Sequence, residues 1–183
     1  MWLWSDPLVT IFVRSFLALL FAGAAYSKLR HQEEFHGVVR NFRLMPEWLA
    51  APFATILPWL ELAIAIGLLV DASVPFAAAG ASVLLVVFAI AIGINVARGR
   101  KAIDCGCFRT GYKQNLSWLL VARNAILAAG GLLLATAPEA IRAVTVVDIV
   151  TGVLAALVAM TLYLTAGLVS GVATTARNNA HLV

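Results

Sequence analysis

Charge is scarce in this chain: Asp, Glu, Lys and Arg make up 12% of its 183 residues, about half the roughly 25% of a soluble domain. With 62% hydrophobic residues and a mean hydropathy of +0.95, the chain reads as an integral membrane protein, with no room for a separate soluble domain of ordinary size. The net charge of +4 does not point to nucleic acid, because the basic residues cluster beside apolar runs. Cysteine is almost absent. The two present, Cys105 and Cys107, are separated by one glycine, and no others exist to complete a four-thiolate metal site. No internal repeat and no low-complexity segment is visible.

What is present is continuous apolarity, the signal of helices that cross a bilayer in about 20 residues. Five segments qualify, at about 8–29, 50–70, 74–97, 116–137 and 144–172. The expected architecture is an all-α polytopic bundle in one membrane domain. It has a four-helix core, a fifth transmembrane helix and a short interfacial amphipathic helix. Small residues at Ala22-Gly23-Ala24 look like a cleavage site after an apolar stretch. No Lys or Arg precedes that stretch and Arg14 interrupts it, so the first span is expected to be retained.

Lys and Arg set the orientation. Ten fall after spans one and three or in the C-terminal tail, among them Arg30, Arg43, Arg98, Arg100, Lys101 and Arg177; only Arg142 falls on the opposite side. The N-terminus is therefore expected outside, with the C-terminus and the loop at 98–115 in the cytoplasm. Between spans one and two, Phe35, Val38, Val39 and Phe42 recur at helical spacing. They mark the amphipathic helix, read as a cover packed on the bundle or as a docking surface.

Cys105-Gly106-Cys107 lies in the basic loop at 98–115. Zinc pairs usually leave two to four residues between ligands, and only His31 and His36 are near enough in sequence to help, so no metal site is assigned. Redox chemistry fits better. Glycine lets the backbone bend, and a disulfide across one residue departs from relaxed geometry, which makes it easier to reduce. Arg98, Arg100, Lys101 and Arg109 favour the reactive thiolate, and Asp104 opposes them. Two ordinary thiols kept reduced by the cytosol are the alternative.

Charges also lie inside the spans, where each costs about 2.5–3.5 kcal/mol on insertion scales. Glu61 sits near the middle of span two, and Arg123 or Arg14 comes near its depth at about 1.5 Å per residue. Glu61, Arg123 and Asn124 are expected to form a polar intramembrane site, with Arg14 as the other candidate partner of Glu61. Such a site could shuttle protons or hold a quinone head group; a structural ion pair is the alternative. Pro58, one turn before Glu61, frees a backbone carbonyl. Lys28 is expected to snorkel, Asp148 to lie at the interface, and Trp2, Trp4, Trp48, Trp59 and Trp118 to anchor or pack.

Several of these residues together resemble a known family. Phe21-Ala22-Gly23-Ala24-Ala25-Tyr26-Ser27-Lys28-Leu29, Leu57-Pro58-Trp59-Leu60-Glu61-Leu62 and Asn95-Val96-Ala97-Arg98-Gly99-Arg100 are similar to segments of the MauE family, within the DoxX-like membrane proteins. So are Asp104-Cys105-Gly106-Cys107-Phe108, Leu116-Ser117-Trp118 and Arg123-Asn124. The resemblance covers about residues 10–135. It implies a helical membrane protein of the bacterial inner membrane associated with thiol redox chemistry. Its partner would be a thioredoxin-like protein, and its role the maturation of methylamine dehydrogenase, a disulfide-rich enzyme. Cys105 and Cys107 carry over as the redox pair, and no cofactor is assigned beyond a candidate quinone. Two other readings stay open: a non-catalytic membrane chaperone or complex subunit, and a proton-coupled transporter. The orientation poses a difficulty, because secreted disulfide substrates lie outside while the cysteines are placed inside. Either the loop dips into the bundle and reducing equivalents cross the membrane, or the orientation is reversed.

Overall fold

A computed structural model of the chain describes residues 6–100, 116–137 and 143–180. All regular structure among them is helical: α1 (Pro7–Arg30), α2 (Gln32–Phe42), α3 (Glu47–Gly67), a single 3-10 turn at Asp71–Ser73, α4 (Val74–Ala97), α5 (Trp118–Ala135) and α6 (Val146–Ala180). Among the described residues, five helices are long and apolar enough to cross a membrane. The chain is thus the expected multi-pass all-α bundle, with α2 as the short extra helix. Large apolar side chains such as Phe76, Leu119, Val146 and Val169 stand on its outside, as a lipid-facing surface requires.

Local chemistry sets the helix ends. The Asp6 carboxylate accepts from Leu8 N at 2.9 Å, and Pro7 opens α1 where its missing N–H is not needed. The chain turns at His31, and α2 stops at Arg43, whose φ of +48° is left-handed. Pro46 precedes α3, which begins three residues before the apolar run does. At the start of α6, Thr145 N and Oγ1 donate to Asp148 Oδ2, and Asp148 N donates back to Thr145 Oγ1. This reciprocal cap buries Asp148.

Helix packing follows small residues. Helix α4 lies along α5, and α1 lies between α3 and α6. A methyl group at Gly131 of α5 would stand 2.5 Å from Ser82 Oγ and 3.3 Å from the Ala78 carbonyl of α4. One at Gly152 of α6 would stand 2.7 Å from Ile11 of α1. Close backbone approach of this kind is how membrane helices gain contact where water does not drive association. The amphipathic α2 buries Phe35 and Val39 on the main core and covers one end of the bundle.

Candidate functional site

The last turn of α1 carries a lysine inward. Leu17, Phe21, Ala24, Ala25 and Lys28 form one buried stripe, and Lys28 is only 3% exposed. Its ammonium Nζ donates to both carboxylate oxygens of Glu61 in α3, at 2.7 and 2.9 Å. Glu61 has no exposed surface. The Phe35 ring of α2 and the Phe88 ring of α4 stand 5.3 and 5.8 Å from Nζ, at cation–π range. Glu61 lies three residues after Pro58, which has no N–H to bond the carbonyl of Ala54.

This geometry corrects the sequence expectation. Glu61 is paired with Lys28, where Arg123 or Arg14 was expected, and Lys28 does not snorkel. The cause is α2. The first turns of α3 run beside α2, with His36 Nε2 3.0 Å from the Ala51 carbonyl. Glu61, well inside α3, therefore comes level with the end of α1, and Phe35 seals Lys28 from above. The inward stripe of α1 was the signal in the sequence that could have found Lys28.

The other predicted residues lie elsewhere. Arg14 pairs with Asp71 in the turn after α3 and also donates to the Leu69 carbonyl. Arg123 lays its guanidinium 4.9 Å from the Tyr163 ring centre of α6. Its Nε is buried without a hydrogen-bond partner among the described residues. Asn124 is buried, and its Nδ2 donates to the Leu120 carbonyl of its own helix at 3.0 Å. Cys105 and Cys107 lie outside the described residues.

Beside Lys28 a cavity of about 330 Å³ opens between α2, α3 and α4. Phe35, Val39 and Phe42 form its α2 wall, Phe53 and Leu57 its α3 wall. Among the described residues that line it, only Lys28 bears a charge.

The described ends of the segment at 98–115 meet at this cavity. Helix α4 ends in a Schellman motif: Gly99, at φ +73°, donates to the Val96 carbonyl, and Arg100 N donates to the Asn95 carbonyl, both at 3.0 Å. The Arg100 guanidinium then donates to Asn95 Oδ1 at 3.3 Å and to the Phe42 carbonyl at 3.4 Å. On the far side of the segment, Leu116 is buried with Ile92, Val96 and Leu120, and Phe42 packs against that group. Phe42 and Ile92 also line the cavity. The segment that carries the two cysteines therefore leaves and re-enters the described structure at the cavity rim.

The geometry has named relatives in sequence. Residues 6–137 match the family described as methylamine utilisation protein MauE. The chain is 58% identical over 179 residues to methylamine utilization protein MauE of Methylorubrum extorquens, covering 96% of this chain and 94% of that one. It is 51% identical to the protein of that name from Paracoccus denitrificans, with 91% and 89% covered. With the one from Methylophilus methylotrophus it shares 42% identity, over 91% and 88%. The similarity thus extends past residue 135 into α6. No solved structure matches the chain.

Proposed function

The chain belongs to the family of methylamine utilisation protein MauE, and from that premise we propose that it is a membrane thiol–disulfide redox protein. It exchanges electrons with a thioredoxin-like partner and supports maturation of an enzyme of the methylamine dehydrogenase type. The observation that carries this reading is the cysteine pair itself: the only two thiols of the chain, one residue apart.

The chemistry balances with these residues and a partner dithiol. A partner thiolate attacks the Cys105–Cys107 disulfide and forms a mixed disulfide, releasing one of the two thiols. The partner's second thiol then attacks the mixed bridge. The partner leaves oxidised, and Cys105 and Cys107 are both reduced. The reverse sequence reduces the partner. Arg98 and Arg100, at the root of the segment, favour the thiolate form that either direction needs. The excess of Lys and Arg on this side of the sequence supports a cytoplasmic loop and an N-terminus outside.

Replacement of one cysteine by serine tests the reading. In Cys107→Ser, Cys105 has no resolving partner. A mixed disulfide with a thioredoxin-like protein is expected to accumulate and to vanish on reduction. Cys105→Ser/Cys107→Ser is expected to abolish maturation of the client enzyme. Full maturation with the double variant would overturn the redox reading and leave a non-catalytic chaperone or complex subunit.

A further inference from the structure

We propose that the cavity between α2, α3 and α4 is a quinone site, with Lys28 as the donor to a quinone carbonyl. The proposal deepens the thiol redox reading by naming the electron acceptor, and it rests on that reading only for the electron-transfer step. A cavity of about 330 Å³ lies within the range of small-molecule sites. Its wall, apolar but for the Lys28 ammonium among the described residues, selects a ligand that is mostly hydrocarbon and has a hydrogen-bond acceptor.

Three features favour a quinone over other apolar molecules. First, an ammonium has three hydrogens. Two of Lys28's point at Glu61, which leaves one for a ligand. Because Glu61 balances the lysine charge, the site suits a neutral acceptor such as a carbonyl. A phosphate would bring uncompensated charge into a low-dielectric site. Second, Phe35 and Phe88 flank Nζ, so a ring that accepts from Nζ meets two aromatic faces. Third, the cavity opens sideways. Val87, Ile90 and Ile94 line it and are also 44%, 56% and 37% exposed. They follow one another at i, i+3 and i+7 along the outer face of α4, so an isoprenoid tail can leave between them into hydrocarbon.

The site sits beside the root of the cysteine segment, since Phe42 both lines the cavity and accepts from Arg100. Oxidation of Cys105 and Cys107 to a disulfide releases two electrons and two protons. The quinone takes up both and becomes a quinol, and the S–S bond is the one bond formed between protein atoms. The new disulfide is then the oxidant for the partner dithiol.

The test uses full-length protein in nanodiscs and a photoreactive azidobenzoquinone, with labelled peptides identified by mass spectrometry. Label is expected in α2 and along 87–94 of α4, competed by decylubiquinone and not by added phosphatidylethanolamine. Ala91→Phe, which fills the cavity, and Lys28→Met/Glu61→Met, which removes the donor without orphaning a charge, are each expected to weaken labelling by roughly tenfold or more, as loss of contact or of a charge-assisted hydrogen bond predicts. Undiminished labelling in a folded form of either variant overturns the site. Competition by the phospholipid overturns it too, and shows an acyl-chain pocket. If Ala91→Phe does not fold, the double variant and the competition decide. Cys105→Ser/Cys107→Ser is expected to label like the unaltered chain. Labelling without reduction of decylubiquinone by the dithiol form would sink the thiol reading and keep the site; cysteine-dependent maturation without labelling would do the reverse.

Discussion

Lys28 and Glu61 lock the end of α1 to the middle of α3: one ammonium spans both carboxylate oxygens, at 2.7 and 2.9 Å, and neither side chain has more than 3% exposure. A buried pair of this kind is a poor source of stability, because desolvation of two charges offsets most of their attraction. What it fixes is geometry. The pair ties α1 to α3 in an arrangement that puts Nζ at the cavity wall between Phe35 and Phe88.

Breaking the pair from one side leaves a buried charge without its partner. Lys28→Met is expected to destabilise the bundle by about 3–5 kcal/mol, and Glu61→Met by a similar amount. Lys28→Met/Glu61→Met is expected to recover most of that loss, since apolar groups fit an apolar surround. Thermal unfolding of the three variants in one detergent checks this. Additive losses in the double variant would show that the two residues do not act as a pair.

Gly130 and Gly131 are neighbours in sequence and opposites in packing. Nothing stands within 4 Å of a methyl group at Gly130, whereas one at Gly131 meets Ser82 Oγ at 2.5 Å and the Ala78 carbonyl at 3.3 Å. Ser82 cannot swing aside freely, because its hydroxyl donates to Ala78 O at 2.8 Å. Gly131→Ala is expected to cost about 1–3 kcal/mol by forcing α4 from α5. Gly130→Ala is expected to be neutral or to gain up to about 1 kcal/mol of helix propensity. Melting temperatures in detergent should move in opposite directions or differ clearly in size.

These details separate what the sequence makes legible from what it does not. The five long helices follow from continuous apolar runs, and α2 from Phe35, Val38, Val39 and Phe42 at helical spacing. A mid-span glutamate announces that it needs a partner. Which base supplies it is not local information. It depends on α2 folding back, on α3 running first beside α2, and on the depth at which Glu61 then meets α1. Counting residues from the edge of an apolar run misjudges that depth and selects Arg123 or Arg14. Arg14 instead answers Asp71, whose side chain is 88% exposed, a pairing set by the turn after α3.

Gly99 closes α4 at φ +73° with no neighbour within 4 Å of a would-be methyl group. Its replacement is therefore opposed by backbone conformation alone. Gly99→Ala is expected to cost about 1–2 kcal/mol, the left-handed penalty of an L-residue, and Gly99→Asn less. The loss should be local. Faster amide hydrogen exchange at Gly99 and Arg100, whose N–H groups bond Val96 and Asn95, is the measurement, with the global melting temperature nearly unchanged.

The positive-inside rule predicts the side on which Cys105 and Cys107 lie, and that side can be read directly. Apart from the buried Lys28, nine Lys and Arg fall in sequence after spans one and three or in the C-terminal tail, and one falls on the opposite side, a bias that predicts the richer side to be cytoplasmic. In intact cells a membrane-impermeant maleimide is expected to leave both thiols unmodified, and a permeant one to modify them once bound disulfide has been reduced. A periplasmic reporter fused before Asp6 should be active. Modification by the impermeant reagent would place the loop outside, beside secreted disulfide substrates. The basic residues at 98–113 would then have to be explained by thiolate activation or partner docking, because retention by the positive-inside bias could no longer account for them.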